Sequence, residues 1–178
     1  HSAMKYAAPV RKELGVRTLF NILGPLTNPA GAANQVMGVF HPDLVGIQVR
    51  VLQRLGARHV MIVHGVEGLD ELSIAGETMV GELKGGQVLE YIVEPAQFGL
   101  QTHPTRAIQV GSVEESKEII QAVLANQPGP ARDIVALNAG ASVYVAGAAA
   151  SLAEGVSKAQ AVIASGAAQD KLIAYQAY

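Results

Sequence analysis

In GVEGLDELS, residues 65–73, two carboxylates stand side by side, Asp70 and Glu71, with glycines close by. Neighbouring side chains point in different directions, so such a pair can hold two cations, or ligate one and orient another. Hard oxygen donors of this kind suit Mg²⁺, above all when substrate phosphates complete its coordination shell. The competing reading is a solvated acidic turn. Arg11 and Arg17 are the second group with chemical potential. A guanidinium offers planar, bidentate recognition of a carboxylate or phosphate, although a single Arg is more often a plain surface charge. His1, His41, His64 and His103 show no metal-ligand spacing such as H-x-x-x-H. His64 closes an apolar run and reads as a satisfied structural histidine. Neither G-x-G-x-x-G nor a Walker loop occurs.

The stretch RTLFNILGPLTNPAG, residues 17–31, poses a different problem. It carries more apolar side chains than a solvated loop, yet Gly24-Pro25 and Asn28-Pro29 do not suit a helix or strand. Pro fixes φ and removes a donor, and Gly lets a ligand approach the backbone closely. The segment can form a rigid wall against a flat apolar ligand, or a structural loop that seals a sheet edge.

The elements that position these residues follow from periodicity. Residues 3–14 read as a short helix stopped by Gly15 and weakened by Pro9. QVMGVF, 35–40, is a short buried strand. Residues 42–56 read as a helix, with Pro42 in the first turn, Asp43 at the positive end of the dipole and Leu44, Ile47, Val51, Leu52 and Leu55 at helical spacing. HVMIVHG, 59–65, is a second buried strand. Strand, helix and strand form a βαβ unit with a parallel pair and a right-handed crossover, which puts Asp70-Glu71 at the carboxyl end of the sheet, where open α/β sheets place ligands. Residues 77–95 alternate on either side of Gly85-Gly86 and read as a β-hairpin. Helices follow over 112–126, 131–146, 151–166 and 168–176. Ser112 with Glu115 and Ser151 with Glu154 form capping-box patterns. The many alanines favour close helix packing. The fold class expected is α/β: a central, mostly parallel sheet flanked by helices, with a β-hairpin insertion and a helical C-terminus.

Length and composition narrow the function classes. The chain has 178 residues and 49% apolar residues, enough for one core. Lys and Arg total 13 against 15 Asp and Glu, which argues against a nucleic-acid binder. The absence of cysteine removes disulfides, thiolate catalysis and Cys-ligated metals. No apolar run is long enough for a transmembrane helix, and no signal segment is visible. A cytoplasmic location is expected. The chain opens helix-like on HSAMKYAAPVRKELG without an initiator Met, which reads as a start inside a longer protein. A tag remnant would also leave a first His or Ser.

Taken in order, MKYAAPVRKELGVRTLFNILGPLTNPAG, QVMGVF and GLDELS resemble anthranilate phosphoribosyltransferase of tryptophan biosynthesis. The resemblance runs along essentially the whole chain. It implies a large α/β domain of the nucleoside phosphorylase and phosphoribosyltransferase type, of which residues 1–178 form a later, partial piece. It implies Mg²⁺ as cofactor, anthranilate and phosphoribosyl pyrophosphate as substrates, and a homodimer for the whole enzyme. By the same resemblance Arg11 meets the anthranilate carboxylate, and His1 lines the aromatic pocket. Gly24 and Pro25 form its backbone wall, Thr27 lines the outer channel, and Asp70 and Glu71 bind Mg²⁺ with the pyrophosphate. No residue is assigned as acid or base. The G-T-G-G-D and K-H-G-N phosphate-binding segments of the family, and its N-terminal helical domain, are absent from these 178 residues, so the chain alone is expected to be inactive. Two rival functions remain: a pyrimidine nucleoside phosphorylase-like enzyme, and a non-enzymatic nucleic-acid-binding relative. An α/β fragment without a function of its own is the blander reading of this molecule.

Overall fold

The computed structural model describes residues 4–15 and 20–178. The chain divides into two compact units, His1–Ala32 and Ala33–Tyr178. In the first, α1 spans Met4–Leu14 and α2 spans Phe20–Leu23. Pro9 lies inside α1, which continues past it to Leu14. A 3₁₀ turn over Pro25–Thr27 follows α2. The Thr27 hydroxyl donates to Leu23 O at 3.1 Å and also lies 3.3 Å from Gly24 O. Asn28 Oδ1 accepts from Ala30 N at 3.0 Å, and Gly31 N donates to Asn28 O. The prolines and the side-chain hydrogen bonds together give this irregular stretch a defined course.

The second unit is a four-stranded sheet with helices against it. Its strands are β1, Asn34–Gly38; β2, His59–Gly65; β3, Thr78–Lys84; and β4, Gln87–Val93, in spatial order β1-β2-β3-β4. β1 and β2 are parallel and joined by α3, Asp43–Arg54. β2–β3 and β3–β4 are antiparallel. The sheet is therefore mixed, and the expectation of a mostly parallel sheet needs that correction. The hairpin turning at Gly85-Gly86 does not stand apart as an insertion: it extends the sheet, because β3 pairs along the whole of β2.

Among the described residues four further α-helices follow: α4, Val113–Leu124; α5, Pro130–Val145; α6, Leu152–Ala164; and α7, Ala167–Gln176. Two of them start as the sequence indicates. Ser112 Oγ accepts from Glu115 N at 3.1 Å and Ser151 Oγ accepts from Glu154 N at 3.2 Å. The glutamates reach back to Gly111 N and Ala150 N. Each serine satisfies one amide that a helix start leaves open, while each glutamate bonds the amide one residue before the cap, where a reciprocal capping box would use the cap's own N–H. α5 and α6 approach closely: a Cβ on Gly155 would lie 2.2 Å from Gly140 O.

The sheet has two differently used faces. Strand alternation places Val60 and Ile62 on one and Met61 and Val63 on the other. Met61, Val63 and Val80 join Leu137, Ala141, Tyr144 and Val156 in the main core. That face also carries a polar cluster. Glu82 Oε1 accepts from Tyr144 OH at 2.7 Å and lies 2.8 Å from His59 Nε2, and Glu82 Oε2 accepts from Tyr91 OH at 2.7 Å. Lys84 Nζ donates to Tyr144 OH at 3.0 Å. Burial alone would raise the Glu82 pKa, but the bonds from Tyr144, Tyr91 and His59 outweigh it and hold it below the ordinary value. No described helix is long and apolar enough to cross a membrane.

Candidate active site

The acidic loop leaves β2 at Gly65 and is tied down on several sides. Gly65 N donates to Leu69 O and Gly68 N to Gly65 O, each at 2.8 Å. The Glu67 carboxylate folds back and accepts from Ser73 Oγ. Ser73 Oγ in turn accepts from Ala75 N at 2.8 Å, and Ser73 N donates to Thr78 Oγ1 at 2.9 Å. Leu72 and Ile74 are driven into the core, at 0% and 1% exposure. Asp70 and Glu71, between the half-buried Leu69 and the buried Leu72, stay exposed.

Two distant elements also meet this loop. The last residue of β1 is Gly38, and a Cβ there would lie 1.5 Å from Asp70 O and 2.3 Å from its carbonyl carbon. Only glycine lets the loop backbone pass so close to the strand end. From α5, Asn138 grips the following residue: its Oδ1 accepts from Leu72 N and its Nδ2 donates to Leu72 O, both at 2.9 Å. Nδ2 also donates to Ile134 O at 3.0 Å. Leu72 N–H can only donate and Leu72 C=O can only accept, so these partners fix the amide's orientation.

The two carboxylates have no hydrogen-bond donor among the described side chains. Partial burial and the neighbouring Asp70 charge raise the Glu71 pKa above its ordinary value. A cation would relieve that repulsion. No group of three or more His, Cys, Asp or Glu residues among the described residues could hold a metal. The donor set is thus an open carboxylate pair. It fits Mg²⁺, which keeps several waters and takes phosphate oxygens as ligands.

The other residues singled out from sequence fare unevenly. His64 is buried, and its Nδ1 lies 2.7 Å from Val39 O, the satisfied structural role expected of it. Arg11 lies in α1, but its side chain is outside the described residues, as are His1 and Arg17. Gly24 and Pro25 are exposed at the 3₁₀ turn, with Thr27 at its end. Gly24 has right-handed φ −53° and ψ −55°, and a Cβ there would meet nothing within 4 Å. Neither conformation nor packing in its segment demands glycine, which leaves room for a ligand's approach as a reason. Sequence reasoning missed the loop's supports, Gly38, Glu67 and Asn138. Asn138 leaves a signal, a lone amide among small residues in ALNAGAS, mid-helix, where Asn is a poor helix former.

A model of the glycosyl transferase family, α/β domain, matches residues 1–169. Anthranilate phosphoribosyltransferase of Leptothrix cholodnii is 64% identical over 177 residues, covering 99% of this chain and 51% of that protein. The crystal structure of anthranilate phosphoribosyltransferase from Thermus thermophilus superposes with a TM-score of 0.90 at 47% identity, over 99% of this chain and 52% of that one. The Saccharomyces cerevisiae enzyme in complex with phosphoribosyl pyrophosphate and Mg aligns with a TM-score of 0.85 at 29% identity, over 97% of this chain and 50% of that one. The same yeast enzyme also has a structure in complex with 4-fluoroanthranilate. This chain spans about half the length of the relatives it matches. The fold is the α/β fold of the nucleoside phosphorylase and phosphoribosyltransferase type. Because the family model extends over nearly all of the sequence, the chain belongs to the glycosyl transferase family that carries this α/β domain.

Proposed function

We propose that residues 1–178 are the later part of the large α/β domain of an anthranilate phosphoribosyltransferase. The whole protein would transfer the phosphoribosyl group of phosphoribosyl pyrophosphate to anthranilate, in tryptophan biosynthesis. The observation that carries this reading is the 64% identity to the Leptothrix cholodnii enzyme over 99% of the chain. In the reaction the anthranilate amine attacks the anomeric carbon. The bond from that carbon to the pyrophosphate oxygen breaks, pyrophosphate leaves with the electron pair, and the amine gives up a proton to complete phosphoribosyl-anthranilate.

The chain's residues supply positioning and charge. Arg11 pairs with the anthranilate carboxylate, and His1 lines the ring pocket. Gly24 and Pro25 present a rigid backbone edge to the planar ring, and Thr27 borders the outer channel. Asp70 and Glu71 hold Mg²⁺ with the pyrophosphate. Bound there, Mg²⁺ neutralises charge on the departing group. No strong base is assigned, since an aromatic amine arrives neutral and can lose its proton late. The phosphate-binding G-T-G-G-D and K-H-G-N sequences do not occur in these 178 residues. The chain by itself is therefore proposed to be inactive, and the whole protein to be a cytoplasmic homodimer.

The test is loss of anthranilate with release of pyrophosphate, measured with phosphoribosyl pyrophosphate and Mg²⁺. The intact protein should turn over and these 178 residues alone should not. Turnover of a pyrimidine nucleoside with phosphate, or DNA binding at low salt, would instead favour one of the rivals. Arg11→Ala should raise the KM for anthranilate about tenfold or more, the size of a lost charge-assisted hydrogen bond, and leave the melting temperature unchanged. An unchanged KM would remove Arg11 from the pocket.

A further inference from the structure

We propose that Asn138 is a positioning residue for the acidic pair: its amide clamps the backbone of Leu72 and so fixes where Asp70 and Glu71 present their carboxylates. The inference rests on the reading of that pair as the Mg²⁺ ligands. Its geometry is independent of that reading.

Asn138 stands on α5, 66 positions along the chain from Leu72. Its amide makes a closed two-point contact with one residue, accepting from Leu72 N and donating to Leu72 O. The further bond to Ile134 O fixes the side chain on its own helix. α5 is itself anchored in the core through Leu137 and Ala141, at 1% and 0% exposure. The clamp thus refers the loop to a rigid element. On the other side, the Asp70 backbone lies against Gly38 at the end of β1. The acidic dipeptide is held between a strand end before it and a helix amide after it.

The carboxylates themselves lack such support. No described side chain donates to them, so among the described residues the backbone is what fixes the points from which the two side chains extend. A two-carboxylate Mg²⁺ site depends on that separation, since the ion demands near-ideal octahedral geometry. Residues that orient metal ligands without touching the metal commonly change metal affinity by about 10- to 100-fold.

The test compares Asn138→Ala, Asn138→Asp, Asp70→Asn and a core control, Val156→Ala, in the intact protein. Val156 is buried on α6, packs against Gly140 of α5 and makes no hydrogen bond to the acidic loop through its side chain. Three quantities are read: the Mg²⁺ concentration for half-maximal activity, amide hydrogen exchange over residues 69–73, and the melting temperature. Asn138→Ala should raise the Mg²⁺ requirement about tenfold, with kcat at saturating Mg²⁺ within about twofold of the parent. Exchange over 69–73 should quicken. Asn138→Asp keeps the acceptor for Leu72 N but loses the donor to Leu72 O and Ile134 O, so it too should raise the requirement, which preserves the test should the alanine variant not fold. Val156→Ala should lower the melting temperature and leave the Mg²⁺ requirement alone. A raised requirement in Asp70→Asn with none in either Asn138 variant overturns the positioning role while the metal reading stands. An unchanged requirement in Asp70→Asn overturns the metal reading and the proposal with it.

Discussion

The two ends of β2 handle carboxylates in opposite ways. At its amino end Glu82, on the neighbouring strand, is enclosed by His59, Tyr91 and Tyr144, and both of its oxygens are engaged. Beyond its carboxyl end, Asp70 and Glu71 are exposed and lack such donors among the described side chains. The direction of the pKa shift follows the surroundings: lowered at Glu82, raised at Glu71. A carboxylate satisfied by three donors is a structural brace. One held next to a like charge by its backbone is left with capacity for a cation.

The strongest way to break this contrast is to remove the brace. Glu82→Ala leaves His59, Tyr91 and Tyr144 donors without their acceptor, with two of the three side chains buried. The expected cost is about 3 kcal/mol or more, read by urea denaturation of the variant against the parent. A loss under about 1 kcal/mol would show that water replaces the carboxylate easily and that the cluster is no brace.

A second, smaller effect is expected at the support of the acidic loop. Gly38→Ala forces a methyl group into the Asp70 carbonyl, which cannot move without carrying the dipeptide with it. Overpacking of this kind costs about 1–3 kcal/mol. Hydrogen exchange over residues 69–73 should quicken, while amides of β3 and β4 remain protected. Uniform loss of protection would mean that Gly38 supports the whole sheet and not the loop.

The contrast also shows what a sequence exposes. The hairpin at Gly85-Gly86 and the helix starts at Ser112 and Ser151 were legible because their determinants lie within a few residues. The Asp70-Glu71 pair is visible as a pair for the same reason: two adjacent carboxylates are recognised without knowledge of the fold. Strand direction across the sheet was not, because β2 pairs with β3 through contacts that local alternation does not encode. Nor could Gly38 be understood, since its neighbour Asp70 arrives from another part of the chain. The Asn138 clamp and the cluster around Glu82 are likewise long-range, spanning 66 and 62 positions. The roles proposed for Arg11, His1, Gly24, Pro25 and Thr27 rest on family resemblance, because they depend on substrate contacts that spacing does not encode.

The finest test asks whether the two glutamates differ in sign. Glu82 has a lowered folded pKa, so its contribution to stability is present above its ordinary value near 4.5 and is lost as the pH falls through the folded value. Glu71 has a raised one, so its contribution is present below about 4.5 and is lost as the pH rises through the folded value. Glu71→Gln removes the second dependence and leaves the first. Parent and variant should therefore differ least in acid and separate toward neutral pH, where the variant should be the more stable by a few tenths of a kcal/mol, an ordinary surface effect. Adding Mg²⁺ and pyrophosphate to the intact protein should reverse the order, because binding to the folded state stabilises the parent more. A variant less stable than the parent at neutral pH without the ion would mean that Glu71 is braced by the fold as Glu82 is, and the two ends of β2 would no longer differ in kind.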